Sequence, residues 1–225
     1  MFSEHELSII NSANNRGSGI QKLAMSYYDG TNGFEKDFER AALLACMATW
    51  NGSPASGGIA GYFYLNGIGV EKDYTEAFLY YLHAAKHENR EAMYMVGNFY
   101  TSSKYSPSIC PLNMVTGNMW YEKAANKGHA GAMFELASNY YKGLGVIFDL
   151  DKALYWYENA AKAGNVNAMY NAALFYDGVE GISYENPNMA GYWFNEAAKK
   201  GDKDARQKLA NYKYSSFTSK WKKIN

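Results

Sequence analysis

Small and apolar side chains recur along this chain with the spacing of one face of an α-helix. Over 133–140 they follow the i, i+3, i+4, i+7 pattern, and Gly143 then ends the helix. Asp149 precedes a second stripe as an N-cap residue, and Trp156 is expected to be a buried large ring of that stripe. The stripe consists of Ala153, Trp156, Tyr157, Ala160 and Ala161. The two stripes predict an antiparallel hairpin of two helices, which we call helix A and helix B.

This hairpin returns at a nearly constant distance along the whole chain. The aromatic residue near the end of helix A recurs at intervals of 37, 36, 40 and 36 residues, as Tyr27, Tyr64, Tyr100, Tyr140 and Tyr176. A unit of this length cannot bury its apolar face alone, so neighbouring units stack into a continuous core. The sequence therefore predicts an all-α solenoid that forms one domain over 1–225. Its repeats are expected at about 18–54, 55–91, 92–131, 132–167 and 168–204.

Each end of the array is expected to carry a capping helix. Ser3-x-x-Glu6 can form a capping box that starts a helix over 3–14, and a sixth helix A without a helix B is predicted over 205–222. Four lysines of this C-terminal cap are interpreted as solvated side chains, with an anion site as the alternative. They are Lys213, Lys220, Lys222 and Lys223.

The third repeat departs from the others. It lacks the Gly-x-Gly turn and inserts about four residues in a polar loop over 101–111. Insertions in a repeat array go to a loop face, where they can serve a partner. Loops also tolerate neutral insertion at little cost, and both interpretations stay open.

The order of residues in the best-formed unit resembles a known repeat. Residues 132–164 read Ala, Leu-Ala, Tyr, Gly-x-Gly-Val, Asp-x-x-Lys-Ala, Trp-Tyr-x-x-Ala-Ala, Gly, and 56–91 carry a similar order. This order is similar to the Sel-one-like repeat, a relative of the tetratricopeptide repeat, and the resemblance covers nearly the whole chain. It implies a right-handed α-solenoid, a bacterial source, and a scaffold or adaptor for other proteins. It implies no chemistry of its own.

Composition and charge argue against a nucleic-acid-binding, secreted or membrane protein. The chain is 48% hydrophobic with a net charge of zero. A nucleic-acid-binding protein normally shows a basic excess or stripe, and none is visible here except near the C-terminus. The first residues include acids where a secretory signal would have Lys or Arg, and no long apolar run follows. We therefore expect a cytoplasmic protein that binds neither nucleic acid nor membrane.

Candidate chemistry is sparse in this sequence. Cys46 and Cys110 do not recur with the repeat period, so both are expected to be free thiols, with a single bridge as the alternative. His83 and His87 have a metal-compatible i, i+4 spacing, but no third ligand is implied and a solvated helix face is the favoured interpretation. No nucleophile–base pair is apparent. We expect no cofactor, no metal and no enzymatic activity.

The family resemblance indicates where a partner would bind. In the related tetratricopeptide fold the A helices line the concave surface, so positions three before, one after and four after the small helix-A residue should face a groove. The alternative is that some of these rings belong to the core between repeats. Exposed aromatic side chains with interspersed polar ones are typical anchors of protein interfaces. The predicted partner-binding residues are Tyr28, Tyr62, Tyr94, Asn98, Phe134, Tyr141 and Tyr170.

These features favour a non-enzymatic protein-binding scaffold, either a monomer or a weak homo-oligomer. One specific role is an immunity or inhibitor protein that covers a toxin or effector with its concave face, for which fold analogy is the only support. The alternatives are a regulatory adaptor in a signalling or envelope pathway and a hydrolase-like enzyme of the repeat family.

Overall fold

The computed structural model describes residues 2–13, 15–105, 111–178, 184–215 and 218–224, the side chain of Ala55 excepted. This part of the chain contains twelve α-helices, a short 3₁₀ helix at Pro54–Ser56 and a two-stranded sheet. The helices are α1 Glu4–Asn11, α2 Arg16–Asp29, α3 Phe38–Trp50, α4 Gly57–Asn66, α5 Tyr74–Lys86, α6 Arg90–Thr101, α7 Met114–Asn126, α8 Ala130–Lys142, α9 Leu150–Lys162, α10 Val166–Asp177, α11 Pro187–Lys199 and α12 Lys203–Leu209. The strands are β1 Tyr212–Ser215 and β2 Lys220–Lys223. The predicted all-α solenoid of helical hairpins is confirmed.

Side-chain caps set the starts of most helices. The capping box of Ser3 and Glu6 is present at α1, and Asp149 accepts the backbone N–H of Lys152 at the start of α9. Asn186 caps α11, whose first residue is Pro187. Helix boundaries in this chain therefore follow from local hydrogen bonding.

The chain forms two compact units, 1–120 and 121–225, with residues of α7 in both. In the first unit, α1, α2, α3 and α4 contribute to one apolar core, in which Leu23, Leu44 and Phe63 are buried. In the second unit, α8 to α11 pack small alanines against large rings such as Phe194. No helix in the described ranges is long and apolar enough to cross a bilayer. The single-domain organisation stays a prediction.

The buried ring of α9 is Tyr157 rather than Trp156. Tyr157 is 4% exposed, whereas Trp156 is only partly buried against the core. Tyr157 lies at the centre of the stripe formed with Ala153 and Ala160, while Trp156 lies at its edge. The expectation that Trp156 is a buried large ring is therefore wrong, and Tyr157 of the same predicted stripe takes that place.

The C-terminal cap is shorter than the predicted helix over 205–222. Helix α12 ends at Leu209, and β1 and β2 then pair antiparallel with Tyr214 opposite Trp221. Tyr212 and Trp221 pack against the core of the second unit, and the Trp221 backbone N–H donates to the Asn188 side chain at 2.9 Å. Because these long-range contacts hold 212–215 and 220–223 in an extended conformation, these residues form two paired strands instead of a helix.

The start of the inserted loop in the third repeat packs against α5 and α6. Tyr105 is 8% exposed and stacks on Phe99 with 4.2 Å between ring centroids, and its ring also meets Tyr74 edge-on. Residues 106–110, including Cys110, lie outside the described residues. The loop therefore contributes a buried ring to the fold, and its part in partner binding stays a prediction.

Candidate partner-binding groove

Two helices of the first unit present side chains in the predicted pattern. Gln21, Met25 and Tyr28 follow i, i+4, i+7 on α2, on the side opposite buried Leu23 and Ile20. Helix α4 repeats the pattern with Gly58 in its first turn. These stripes line the same open space.

That space is a groove of about 730 Å³ between α2, α4 and α6, within the first unit. We call it the A-helix groove. It is lined mainly by apolar and aromatic side chains, with amides and one carboxylate among them. The lining residues are Gln21, Met25, Tyr28, Gly58, Ile59, Tyr62, Phe63, Leu65, Asn66, Tyr81, Asn89, Glu91 and Met95.

Aromatic rings dominate one wall of the A-helix groove. Tyr28 stacks on Phe63 with a centroid separation of 5.4 Å, and Tyr62 lies 6.2 Å from the same ring. Tyr62 remains 44% exposed, so much of its ring is available for contact. The neighbouring Tyr62 hydroxyl raises the pKa of Tyr28, which favours the neutral form of the Tyr28 phenol. The wall can supply apolar area and neutral hydroxyl groups, but no charge.

The floor of the groove depends on a close approach between two helices. Tyr81 of α5 is 3% exposed, and burial raises the pKa of its hydroxyl. Its ring lies against Gly61 of α4, where a Cβ atom would come within 2.9 Å of Tyr81 Cδ2. Only a residue without a side chain fits at position 61 in this arrangement.

We expect Gly61→Ala to reduce the free energy of unfolding by about 1–3 kcal/mol, because the added methyl group overpacks the contact with Tyr81. Gly58→Ala is the matched control on the same helix, since its Cβ would lie 3.6 Å from the Asn89 amide, an ordinary contact. Urea unfolding of both variants measures the difference. Equal stability of the two variants would show that Tyr81 is not held against Gly61.

The other predicted site residues have different surroundings. Tyr94 and Asn98 are half-buried on α6, outside the set that lines the groove. Each of the remaining three, in the second unit, is half-buried and packs on a core ring. The pairs are Phe134 with Tyr157 at 5.8 Å, Tyr141 with Phe175 at 5.7 Å and Tyr170 with Phe194 at 5.8 Å. The structure thus brings Tyr28 and Tyr62 together, and the binding role of all seven residues stays a prediction.

Part of the lining of the A-helix groove was not predicted from the sequence. Helix α6 contributes Glu91 and Met95, which lie six and two positions before its small residue Gly97, instead of the predicted Tyr94 and Asn98. The groove is centred on α4, so α6 lines it with the side that faces α4. The sequence prediction used the same three helix-A positions in every repeat, so it could not show that α6 lines the groove with a different side.

The histidines considered as metal ligands and the thiol of Cys46 do not line the A-helix groove. His83 packs between Trp50 and His87, at 4.6 and 4.7 Å between ring centroids, and burial lowers its pKa. Within the described ranges, no cluster of three or more His, Cys, Asp or Glu side chains could hold a metal ion. Cys46 is a free thiol near Tyr64 and Tyr80, and burial raises its pKa.

A family model for the Sel1 repeat matches the chain five times. The matched residues are 18–49, 58–89, 90–129, 130–165 and 166–202. The chain belongs to the Sel1 repeat family. The prediction of five such repeats is confirmed, and the exact bounds given for them from the sequence stay a prediction.

Solved structures share the fold of this Sel1 repeat protein. A Sel1 repeat protein from Oxalobacter formigenes is 24% identical, with 90% of this chain and 81% of that one covered and a TM-score of 0.78. A protective antigen of uropathogenic Escherichia coli is 24% identical over 91% of this chain and 54% of that one, with a TM-score of 0.57. An immunity protein from Pseudomonas aeruginosa is 18% identical over 94% of this chain and 75% of that one, with a TM-score of 0.52. At these identities the likeness is one of fold.

Proposed function

We propose that this Sel1 repeat protein is a non-enzymatic scaffold that binds a partner protein in the A-helix groove. Sel1 repeat proteins mediate protein–protein interaction. The observation that carries the proposal is the groove itself, whose lining combines exposed Tyr62 with Met25 and Met95. Tyrosine gives a large contact area at low entropic cost, and methionine adapts to irregular partner surfaces.

The chemistry of the groove defines the partner segment. Tyr28, Tyr62 and Leu65 form an apolar wall that suits an aliphatic or aromatic side chain of the partner. Gln21 and Asn66 lie beside that wall. The Gln21 side-chain oxygen accepts from Ser53 and Ser56, so Gln21 can offer its NH₂ group to a peptide carbonyl. The Asn66 side-chain NH₂ donates to the Tyr62 carbonyl, whereas its side-chain oxygen can accept a peptide N–H. The groove therefore suits a protein segment with one apolar anchor flanked by peptide groups.

We further propose that the partner is a toxin or effector and that this chain is its immunity or inhibitor protein. The support is the similar fold of a Pseudomonas aeruginosa structure that is named an immunity protein. An inhibitor acts by occlusion, so the role demands a binding surface but no catalytic group. A regulatory adaptor would use the same groove, and the cytoplasmic location stays a prediction.

A photocrosslinking experiment tests which surface meets the partner. A photoreactive phenylalanine replaces Tyr62 in the groove or, as the control, Tyr155, which is 59% exposed on α9. We expect one host protein to crosslink from position 62 and not from 155. Expression of that protein without the Sel1 chain should arrest growth if it is a toxin. A captured protein that is harmless alone would favour the adaptor role, and capture from position 155 alone would contradict the groove.

Once the partner is identified, Tyr62→Ala is expected to weaken binding by about 2 kcal/mol or more, close to thirtyfold, as truncation of an interface hot spot does. The fold should persist, because this side chain is 44% exposed and lies outside the buried core. Calorimetry of the purified proteins measures the affinity, with helicity checked by circular dichroism. Tyr155→Ala is the control, and unchanged affinity for the Tyr62 variant would rule out this groove as the binding site.

A further inference from the structure

Positive charge is concentrated at the C-terminal end of this neutral chain. Residues 199–223 hold nine of the 22 Lys and Arg residues but two of the 22 Asp and Glu residues. The preceding 198 residues therefore contain 13 cations and 20 acids. A basic segment follows an acidic body, although the total charge is zero.

The hairpin of β1 and β2 sorts these lysines by face. Lys213 lies directly opposite Lys222, and Ser215 opposite Lys220, so all four residues share one face of the ribbon. The three lysines are exposed. We call Lys213, Lys220 and Lys222 the lysine face.

The opposite face of the ribbon packs against the core of the second unit. Tyr212 is 7% exposed and its hydroxyl donates to Asp177, a carboxylate that also pairs with Lys223 at 2.6 Å. Tyr214 and Trp221 meet with 5.2 Å between ring centroids. Lys223 therefore serves the fold, whereas the lysine face points away from it.

The arrangement of the lysine face costs stability. Like charges directly opposite each other on neighbouring strands repel, and Lys213 and Lys222 form such a pair. Among the described residues, no carboxylate forms a salt bridge with Lys213, Lys220 or Lys222. An external anion would relieve this repulsion.

We propose that the lysine face is a second interaction surface, which binds a short acidic segment of a protein partner. Four-residue strands span roughly 13 Å, at about 3.3 Å per residue, which matches a few carboxylates of an extended peptide. Charge complementarity on this scale attracts the partner and orients it. The surface lies in the second unit and is independent of the A-helix groove.

The overall charge distribution favours an acidic peptide over a polyanion. A nucleic acid gains affinity by neutralising many phosphates along an extended basic surface. Here the basic segment is short, and the rest of the chain carries seven more acids than cations. A long polyanion would therefore meet net repulsion beyond the ribbon, whereas a short segment would not.

The test is a nuclear magnetic resonance titration of the ¹⁵N-labelled full chain with an octaglutamate peptide, and with octaglutamine as the neutral control. We expect amide shifts confined to 212–215 and 220–223, which fade as salt is added. The variant K213Q/K220Q/K222Q should bind octaglutamate at least tenfold more weakly. K22Q/K72Q/K86Q changes the net charge equally at exposed lysines of the first unit, and its affinity should stay within twofold.

Stability provides a second readout for these variants. Removing the opposed charges should leave the melting temperature of K213Q/K220Q/K222Q unchanged or raise it. The proposal fails if octaglutamate causes no shifts at the ribbon, if both variants lose affinity equally, or if the ribbon variant melts at a lower temperature. A DNA duplex or phosphatidylserine vesicles that bind the lysine face more tightly than the peptide would replace the acidic protein as its ligand.

Discussion

The Phe194→Ala variant is expected to lose about 3–5 kcal/mol of unfolding free energy, the range for emptying a buried aromatic site. Phe194 is fully buried in the core of the second unit. Its ring lies 5.8 Å from the Tyr170 ring and 5.7 Å from the Tyr212 ring. Truncation therefore leaves a cavity between α10, α11 and the C-terminal hairpin. Urea unfolding monitored by circular dichroism measures the loss.

Tyr192→Ala is the matched control for this core substitution. Tyr192 lies two residues earlier on α11 and is 44% exposed, so its removal should cost about 1 kcal/mol or less. Trp156→Ala should likewise cost less than Phe194→Ala, because Trp156 is only partly buried. If the control variant loses as much stability as Phe194→Ala, the orientation of α11 described above is wrong.

The chain is also expected to lose about 2–3 kcal/mol of stability through Glu6 as the pH falls from about 5 to 2. Glu6 of α1 is 2% exposed, and its carboxylate pairs with Arg40 and accepts the Tyr27 hydroxyl at 3.0 Å. Burial acts to raise the Glu6 pKa, but hydrogen bonds from the Ser3 backbone, from Arg40 and from Tyr27 outweigh it. The pKa falls from 4.5 to about 2.

The lowered pKa of Glu6 means that the chain loses stability as the pH falls. The unfolded chain takes up a proton on Glu6 at about pH 4.5, whereas the folded chain resists it until about pH 2. The stabilisation is therefore complete above pH 5 and is lost as acid protonates the folded carboxylate. The full shift corresponds to roughly 3.4 kcal/mol, and we expect less because solvent partly screens the Arg40 guanidinium.

Glu6→Gln isolates this contribution. The variant should be less stable than the native chain at pH 7 by about 2–3 kcal/mol, and the difference should shrink toward pH 2. Urea midpoints measured at pH steps between 7 and 2 give the two curves, with exposed Glu4→Gln as the control. Parallel curves for the native and Glu6→Gln proteins would show that Glu6 has an ordinary pKa.

Local features of the sequence were enough to predict the repeated architecture. The distance between Tyr27, Tyr64 and their counterparts gave the repeat, and caps such as Ser3 and Asp149 gave helix starts. These features depend on hydrogen bonds and periodicities within a few residues of the chain. Helix-A positions likewise anticipated Tyr28 and Tyr62 in one groove, because stacked copies of a unit present equivalent faces.

Packing between elements decided the remaining features. Tyr157 rather than Trp156 fills the core, Met95 and Glu91 line the groove in place of Tyr94 and Asn98, and the tail forms a hairpin on α11. The sequence alone determined that the chain is an array of helical hairpins with an aromatic helix-A face. Only the tertiary structure decided which side of each helix meets its neighbour and where the tail lies, because those choices depend on contacts between residues far apart in the chain.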